Sequence, residues 1–202
     1  MNALPVRPDS ERTQAQRERI LAAAKKCFIE HGFHAAGMAR IAETAGMSQG
    51  LIYRYFANKH AIILAIIERQ LAKSRDDICN LSKTGDFAQA IYEVFDRWQQ
   101  DDPEITNAAL FLEMTAEAPR SAELAAAMQA SDLELRREFC KWLALDVEQG
   151  GKGMTQEVAE VRALGLQCFI EGLAVRALRE PKLDRKLLHA AIKTYLDALV
   201  TP

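Results

Sequence analysis

The sequence predicts an all-α protein, and three observations carry that reading. Apolar residues recur at spacings of three and four along most of the chain, no segment alternates β-branched and polar residues at strand length, and Gly, Pro and capping residues cut the chain into helix-length pieces. With 49% apolar and 27% charged residues, composition excludes disordered and fibrous classes, and 202 residues suffice for a core without disulfide or metal staples.

The first helix is expected from about Ser10, its N-cap, to His31, striped by Ile20, Leu21, Ala24, Cys27 and Phe28, with Gly32 as its stop. A short second helix spans about Met38 to Ala45. Gly46 permits a left-handed turn, Ser48 caps a third helix over Gln49 to Phe56, and Asn58 caps a fourth that begins apolar on every side. After "KTGD", Phe87, Ile91, Phe95 and Trp98 stripe a fifth helix. Asp102 and Pro103 read as N-cap and N1 of a sixth, running to about Ala118. Ser121 opens a seventh toward Leu145, striped by Leu124, Met128, Leu135, Phe139 and Trp142. "EQGGKG" is a loop, and two last helices, about 155–178 and 184–200, are split by Pro181.

Charge is lopsided under a net of -2: residues 1–60 carry nine Lys/Arg against five Asp/Glu, and the remainder 17 against 23. A basic head on an acidic body suits a protein that meets a polyanion at one end. The first twenty residues lack the apolar segment of a secretory signal, and the run "AIILAII" is far below the ~20 residues that span a bilayer. A cytoplasmic location with no membrane partner is expected. Cys27, Cys79, Cys140 and Cys168 lie far apart, without C-x-x-C or histidine at ligand spacing, so no metal and no cofactor is expected. Most should be buried thiols, with a redox sensor as the other reading. There is no G-x-S-x-G, phosphate loop or H-E-x-x-H, which argues against an enzyme.

Two short helices joined by a tight glycine turn and preceded by a supporting helix form a helix-turn-helix, whose second helix enters the major groove. Helical phase points Ile52 and Phe56 inward with Met47, and Gln49, Gly50, Tyr53 and Arg54 outward. Gln49 can pair with adenine and Arg54 with guanine, Gly50 lets the backbone approach, and Leu51 can touch a thymine methyl. Tyr53, Tyr55 and Lys59 can bind phosphate; half-buried packing is the other reading of the tyrosines, and plain capping that of Ser48. A purely architectural helical protein would need neither Arg54 nor Lys59.

The stretch "RERILAAAKKCFIEHGFHAAGMARIAETAGMSQGLIYRYFANK", Arg17 to Lys59, resembles the DNA-binding domain of the TetR family of bacterial repressors. The likeness rests on Arg19-Ile20-Leu21, Phe28, Gly32-Phe33, Ile41-Ala42, Ala45-Gly46, Gly50, Tyr53, Tyr55-Phe56 and Asn58-Lys59. It departs at Ala36-Gly37, where the family usually has a threonine and a small polar residue, so this turn is not expected to anchor phosphate. His60 stands where an acid is common. The resemblance implies a homodimer of about nine helices per chain, a DNA-binding domain over residues 10–57 and a ligand-binding and dimerisation domain over 58–202. It further implies a palindromic double-stranded operator, and a ligand whose binding moves the fourth helix and lowers operator affinity.

For the dimer interface the expected residues are Val161, Gly165, Cys168 and Gly172 with Leu188, Ile192, Tyr195 and Leu196; close packing within one chain is the other reading of the glycines. For the ligand site they are Trp98, Phe111, Glu113, Met114, Glu117, Phe139 and Trp142. Residues 84–138 hold twelve acidic against four basic residues, so a small hydrophobic effector, in particular a bulky aromatic cation paired with Glu113, and an efflux or detoxification target are expected. A fatty acid or acyl-CoA acting on lipid or catabolic genes is the alternative, and solvated acids over an aromatic core would leave the charge without meaning.

Overall fold

The computed structural model describes residues 8–84, 86–99 and 108–201. Helix α1, Pro8–Ala35, buries Ile20, Leu21, Ala24, Cys27 and Phe28 along one face, as their spacing requires. Pro8 and Asp9 are already helical, so Ser10 lies within the helix and is not its N-cap. Its backbone breaks at Gly32 (φ 76°, ψ 159°), and one short turn continues to Ala35. Helix α2, Met38–Ala45, buries Ile41, Ala42 and Ala45. Gly46 then enters the left-handed region (φ 61°, ψ 39°), and its N–H donates to the carbonyls of Ala42 and Glu43, a turn that a residue with a Cβ would strain.

Ser48 caps α3, Gln49–Tyr53, by accepting the Leu51 N–H at 3.2 Å. The helix is one turn shorter than expected. The chain leaves it in a turn in which the N–H groups of Tyr55 and Phe56 both donate to the Ile52 carbonyl, at 2.9 and 3.0 Å, which swings Phe56 into the core. Asn58 accepts the Ala61 N–H at 2.8 Å at the start of α4, Lys59–Thr84. There follow α5 (Phe87–Gln99), α6 (Ala108–Glu117), α7 (Ala122–Ala144), α8 (Gln156–Arg179) and α9 (Arg185–Val200), with single 3-10 turns at Ala118–Arg120 and Val147–Gln149. Ser121, Thr155 and Asp184 cap α7, α8 and α9 through their side chains. The expected start of α6 at Asp102 and Pro103 lies outside the described residues. No strand occurs among them, and no described helix is long and apolar enough to cross a membrane.

Two apolar cores share α4. The first joins α1, α2 and α3 to Ile62, Ile63, Ile66 and Ile67 of α4, and to Leu110, Met114 and Leu124. The second joins α5, α7, α8 and α9, with Ile78 of α4 at its edge. Residues 57 and 58 therefore mark the end of the helix-turn-helix and not an edge of the core. Ion pairs carry the same continuity: Arg69 of α4 meets Glu18 of α1, and Arg75 meets Glu134 of α7.

The loop after α7 folds back so closely that a Cβ on Gly151 would overlap the Leu145 carbonyl. Gly151→Ala should therefore cost about 1–3 kcal/mol of stability, read as a lower urea midpoint with an unchanged slope.

Candidate nucleic-acid interface and ligand cavity

The recognition helix presents the face that its phase predicts. Ile52 and Phe56 are buried, while Ser48, Gln49, Gly50, Tyr53 and Arg54 are exposed, Tyr53 at 47%. Leu51 is half-buried, and nothing lies within 4 Å of a Cβ added at Gly50, so backbone approach to a base edge is unobstructed. Ser48 is engaged as a cap through one lone pair. Tyr55 packs against the first core and its carbonyl accepts from Arg17 Nη1 at 3.1 Å, which makes packing its first role. Gly37 precedes α2 without a side-chain cap.

Lys59 differs from expectation. Its Nζ donates to the carbonyls of Phe33 (2.7 Å) and His34 (3.2 Å) and sits 4.4 Å from the centre of the Phe33 ring. Burial lowers its pKa, an effect opposed by nearby Glu117. The ammonium is thus committed to the end of α1, and binding DNA phosphate would cost it these partners.

Two residues expected at the ligand are also at this junction. Glu113 Oε2 accepts the Phe33 N–H at 3.2 Å, and Glu117, 5% exposed, pairs with His34 Nε2 at 2.7 Å. They stand four apart on α6 and so share a face, which looks toward the head. The apolar surroundings of Glu113 in sequence could not distinguish a protein partner from a ligand.

The other face of α6 lines a cavity of 170 Å³ with α4, α5, α7 and α8. Trp98, Phe111, Met114 and Phe139 line it as expected. Trp142 does not: nearly one turn further along α7 than Phe139, it is buried 4.9 Å from the Phe87 ring centre and donates to the Gly150 carbonyl at 3.2 Å. The polar wall is formed by residues that sequence reasoning missed, chiefly Asp132, Gln167 and Glu171. Burial raises the pKa of both carboxyls, and for Glu171 the proximity of Asp132 raises it further, against partial relief from Gln167 and Arg136. A signal was present in sequence. Asp132 falls in the gap between Met128 and Leu135 of the α7 stripe, and Gln167 and Glu171 interrupt an apolar stripe of α8 that contains Ala163, Leu166, Ile170 and Ala174.

On α8 and α9 the expected interface residues divide. Val161 (70%), Cys168, Gly172 and Tyr195 are exposed, together with Val158, Leu164 and Leu187. Leu188, Ile192 and Leu196 instead face the second core, because α9 needs its apolar stripe to stay on the body. Gly165 faces its own chain: a Cβ there would lie 3.2 Å from Leu199, so this glycine serves the packing of α8 on α9. Cys27 and Cys140 are buried and Cys168 is exposed, while the Cys79 side chain lies outside the description. Burial raises the Cys140 thiol pKa, as does nearby Glu160, against an opposing hydrogen bond from Gln156.

A helix-turn-helix head on a helical body with an internal cavity defines a DNA-binding transcriptional regulator. The family model for bacterial regulatory proteins of the tetR family matches residues 20–66, and that for the C-terminal part of BetI-type transcriptional repressors matches residues 87–201. The chain belongs to the TetR family. It is 32% identical over 154 residues to the HTH-type transcriptional regulator UidR of Escherichia coli strain K12, covering 71% of this chain and 73% of that protein. Among solved structures, Salmonella enterica GusR has a TM-score of 0.72 at 23% identity over 92% of this chain and 95% of that one. A SmeT–triclosan complex also has a TM-score of 0.72, at 25% identity, over 92% and 91%. The name of UidR and the descriptions of both family models are those of transcriptional regulators.

Arg54→Ala or Gln49→Ala should each weaken operator binding by about 1–3 kcal/mol and relax base preference, whereas Lys59→Gln should lower the melting temperature without reducing the salt slope by the ~1 that a lost phosphate contact gives. The raised carboxyls give a second expectation. A folded state that binds the extra proton loses stability as pH rises from the ordinary carboxylate pKa of about 4 through the raised one. Asp132→Asn and Glu171→Gln should therefore raise the melting temperature of the free protein, by an amount that grows as pH rises above about 4.

Proposed function

We propose that the chain is a homodimeric repressor held on a palindromic operator and released by a small hydrophobic ligand bound in the cavity between α4 and α8. The observation that carries this reading is the double face of α6. Phe111 and Met114 line the cavity, and Glu113 and Glu117 on the same helix hold the end of α1, so one rigid element touches both ligand and head. A ligand that fits better when α6 shifts favours the shifted head by its difference in affinity for the two states, and operator affinity falls by the same factor. The fold's likeness to SmeT, solved as a complex with triclosan, supports ligand binding in such a body.

The exposed apolar strip of Val158, Val161, Leu164, Leu187 and Tyr195 supports a two-fold interface between copies of α8 and α9. A dimer presents two recognition helices to successive major grooves, hence a palindrome. The target we assign is an efflux or detoxification gene, whose product removes the ligand that induces it. A fatty acid or acyl-CoA fits poorly in 170 Å³ beside two carboxylates.

The test is a gel shift and footprint on the gene's own upstream DNA. Symmetric protection and specific affinity of about 10⁻⁸–10⁻¹¹ M are expected, and absence of binding to any palindrome at low salt would overturn the reading. Val161→Asp should yield monomers by light scattering and reduce operator binding to the non-specific range, about 10⁻⁴–10⁻⁶ M.

A further inference from the structure

We propose that Arg17 of α1 is the positioning residue of the recognition helix: it touches no base, and it holds the backbone that carries Tyr53 and Arg54 in the pose that reads the major groove. The proposal rests on α3 being the helix that reads DNA.

Helix α3 cannot fix its own pose. It spans five residues and buries only Ile52, and a helix so short has little stability of its own. In the turn that follows, the N–H groups of Tyr55 and Phe56 are taken by the Ile52 carbonyl, while the Tyr55 carbonyl finds its partner outside the recognition unit. Arg17 Nη1 donates to that carbonyl at 3.1 Å, across 38 positions of sequence, and the guanidinium carbon stands 4.4 Å from the centre of the Phe56 ring. One side chain therefore grips the backbone directly after Arg54 and the buried aromatic that anchors the same turn. A guanidinium suits both tasks, since it can donate at its edge and meet a ring with its charge.

The platform from which Arg17 acts is itself fixed. Glu18 pairs with Arg69 of α4 and accepts the Gln14 Nε2 at 2.8 Å, which ties this turn of α1 to the body. Arg19 Nη2 donates to the Gly46 carbonyl at 3.3 Å, at the turn that leads into α3. Three consecutive side chains thus hold the exit of α3, helix α4 and the entry to α3. The Arg19 contact is longer and exposed, whereas Arg17 is half-buried with its charge committed to a carbonyl and a ring. Arg17 is the firmer hold, and it lies beside the residues that face the bases.

The test is a double-mutant cycle on the palindrome protected in the footprint, with a scrambled duplex of equal length as the non-specific control, at a temperature below the melting transition of every variant. Arg17→Ala should weaken binding to the palindrome about tenfold and leave affinity for the scrambled duplex and both salt slopes unchanged, because phosphate contacts set these. In an Arg54→Ala background the same substitution should cost only about twofold, since the contact it would misalign is already gone. A lower melting temperature with both affinities intact marks a role in folding alone and overturns the proposal. A salt slope reduced by ~1 on both duplexes marks a direct phosphate contact and overturns it as well, as do losses that simply multiply in the double variant. If Arg17→Ala does not fold, Arg17→Lys keeps the charge without the planar fork and is held to the same readings, with a smaller loss in the same direction expected. If Arg54→Ala itself leaves binding to the palindrome unchanged, the reading of α3 falls and the proposal with it. If Arg54→Ala weakens binding and Arg17→Ala does not, only the positioning role is lost.

Discussion

The break in α1 at Gly32 leaves backbone groups that the helix can no longer satisfy, and the position of the DNA-reading head depends on which residues satisfy them. Lys59 of α4 takes the carbonyls of Phe33 and His34, Glu113 of α6 takes the Phe33 N–H, and Glu117 pairs with the His34 ring. Groups left without partners at a helix end are costly once water is excluded, so these contacts fix the angle at which the head meets the body. A continuous α1 would offer α6 no amide to bind. The clasp therefore exists because the helix stops.

The cavity works against stability. Two ionisable acids face a largely apolar space, where burial raises the pKa of each, and α4 compensates by contributing Ile62, Ile63, Ile66 and Ile67 to the first core and Ile78 to the second. Such local cost at a site that must bind something is common, because filling the site relieves it. The same logic explains why α7, otherwise striped with apolar residues, interrupts its stripe with Asp132.

Legibility from sequence followed the range of the interactions. The turn, the cap and the facing residues of the helix-turn-helix were readable, though not the end of α3, because they are set locally: Gly46 requires its turn, Ser48 caps α3, and phase alone sorts Ile52 and Phe56 from Tyr53 and Arg54. Roles that depend on a distant partner were not readable in this way. Glu113 and Glu117 face α1 from about 80 residues away, Lys59 is held by carbonyls about 25 residues back, and Leu188, Ile192 and Leu196 have the apolar pattern of an interface but serve their own core. Asp132 and Glu171 stood in plain view within apolar stripes, yet periodicity gives only the face, and facing a cavity differs from facing a neighbour only in three dimensions.

The chain has two tryptophans in contrasting settings: Trp98 on the cavity wall, and Trp142 locked between the Phe87 ring and the Gly150 carbonyl. Indole emission follows the polarity and quenching of its surroundings. One fluorophore therefore reports occupancy of the cavity while the other, sealed in the second core, holds a steady baseline. The protein carries an internally referenced optical report on whatever fills that cavity, without any added label.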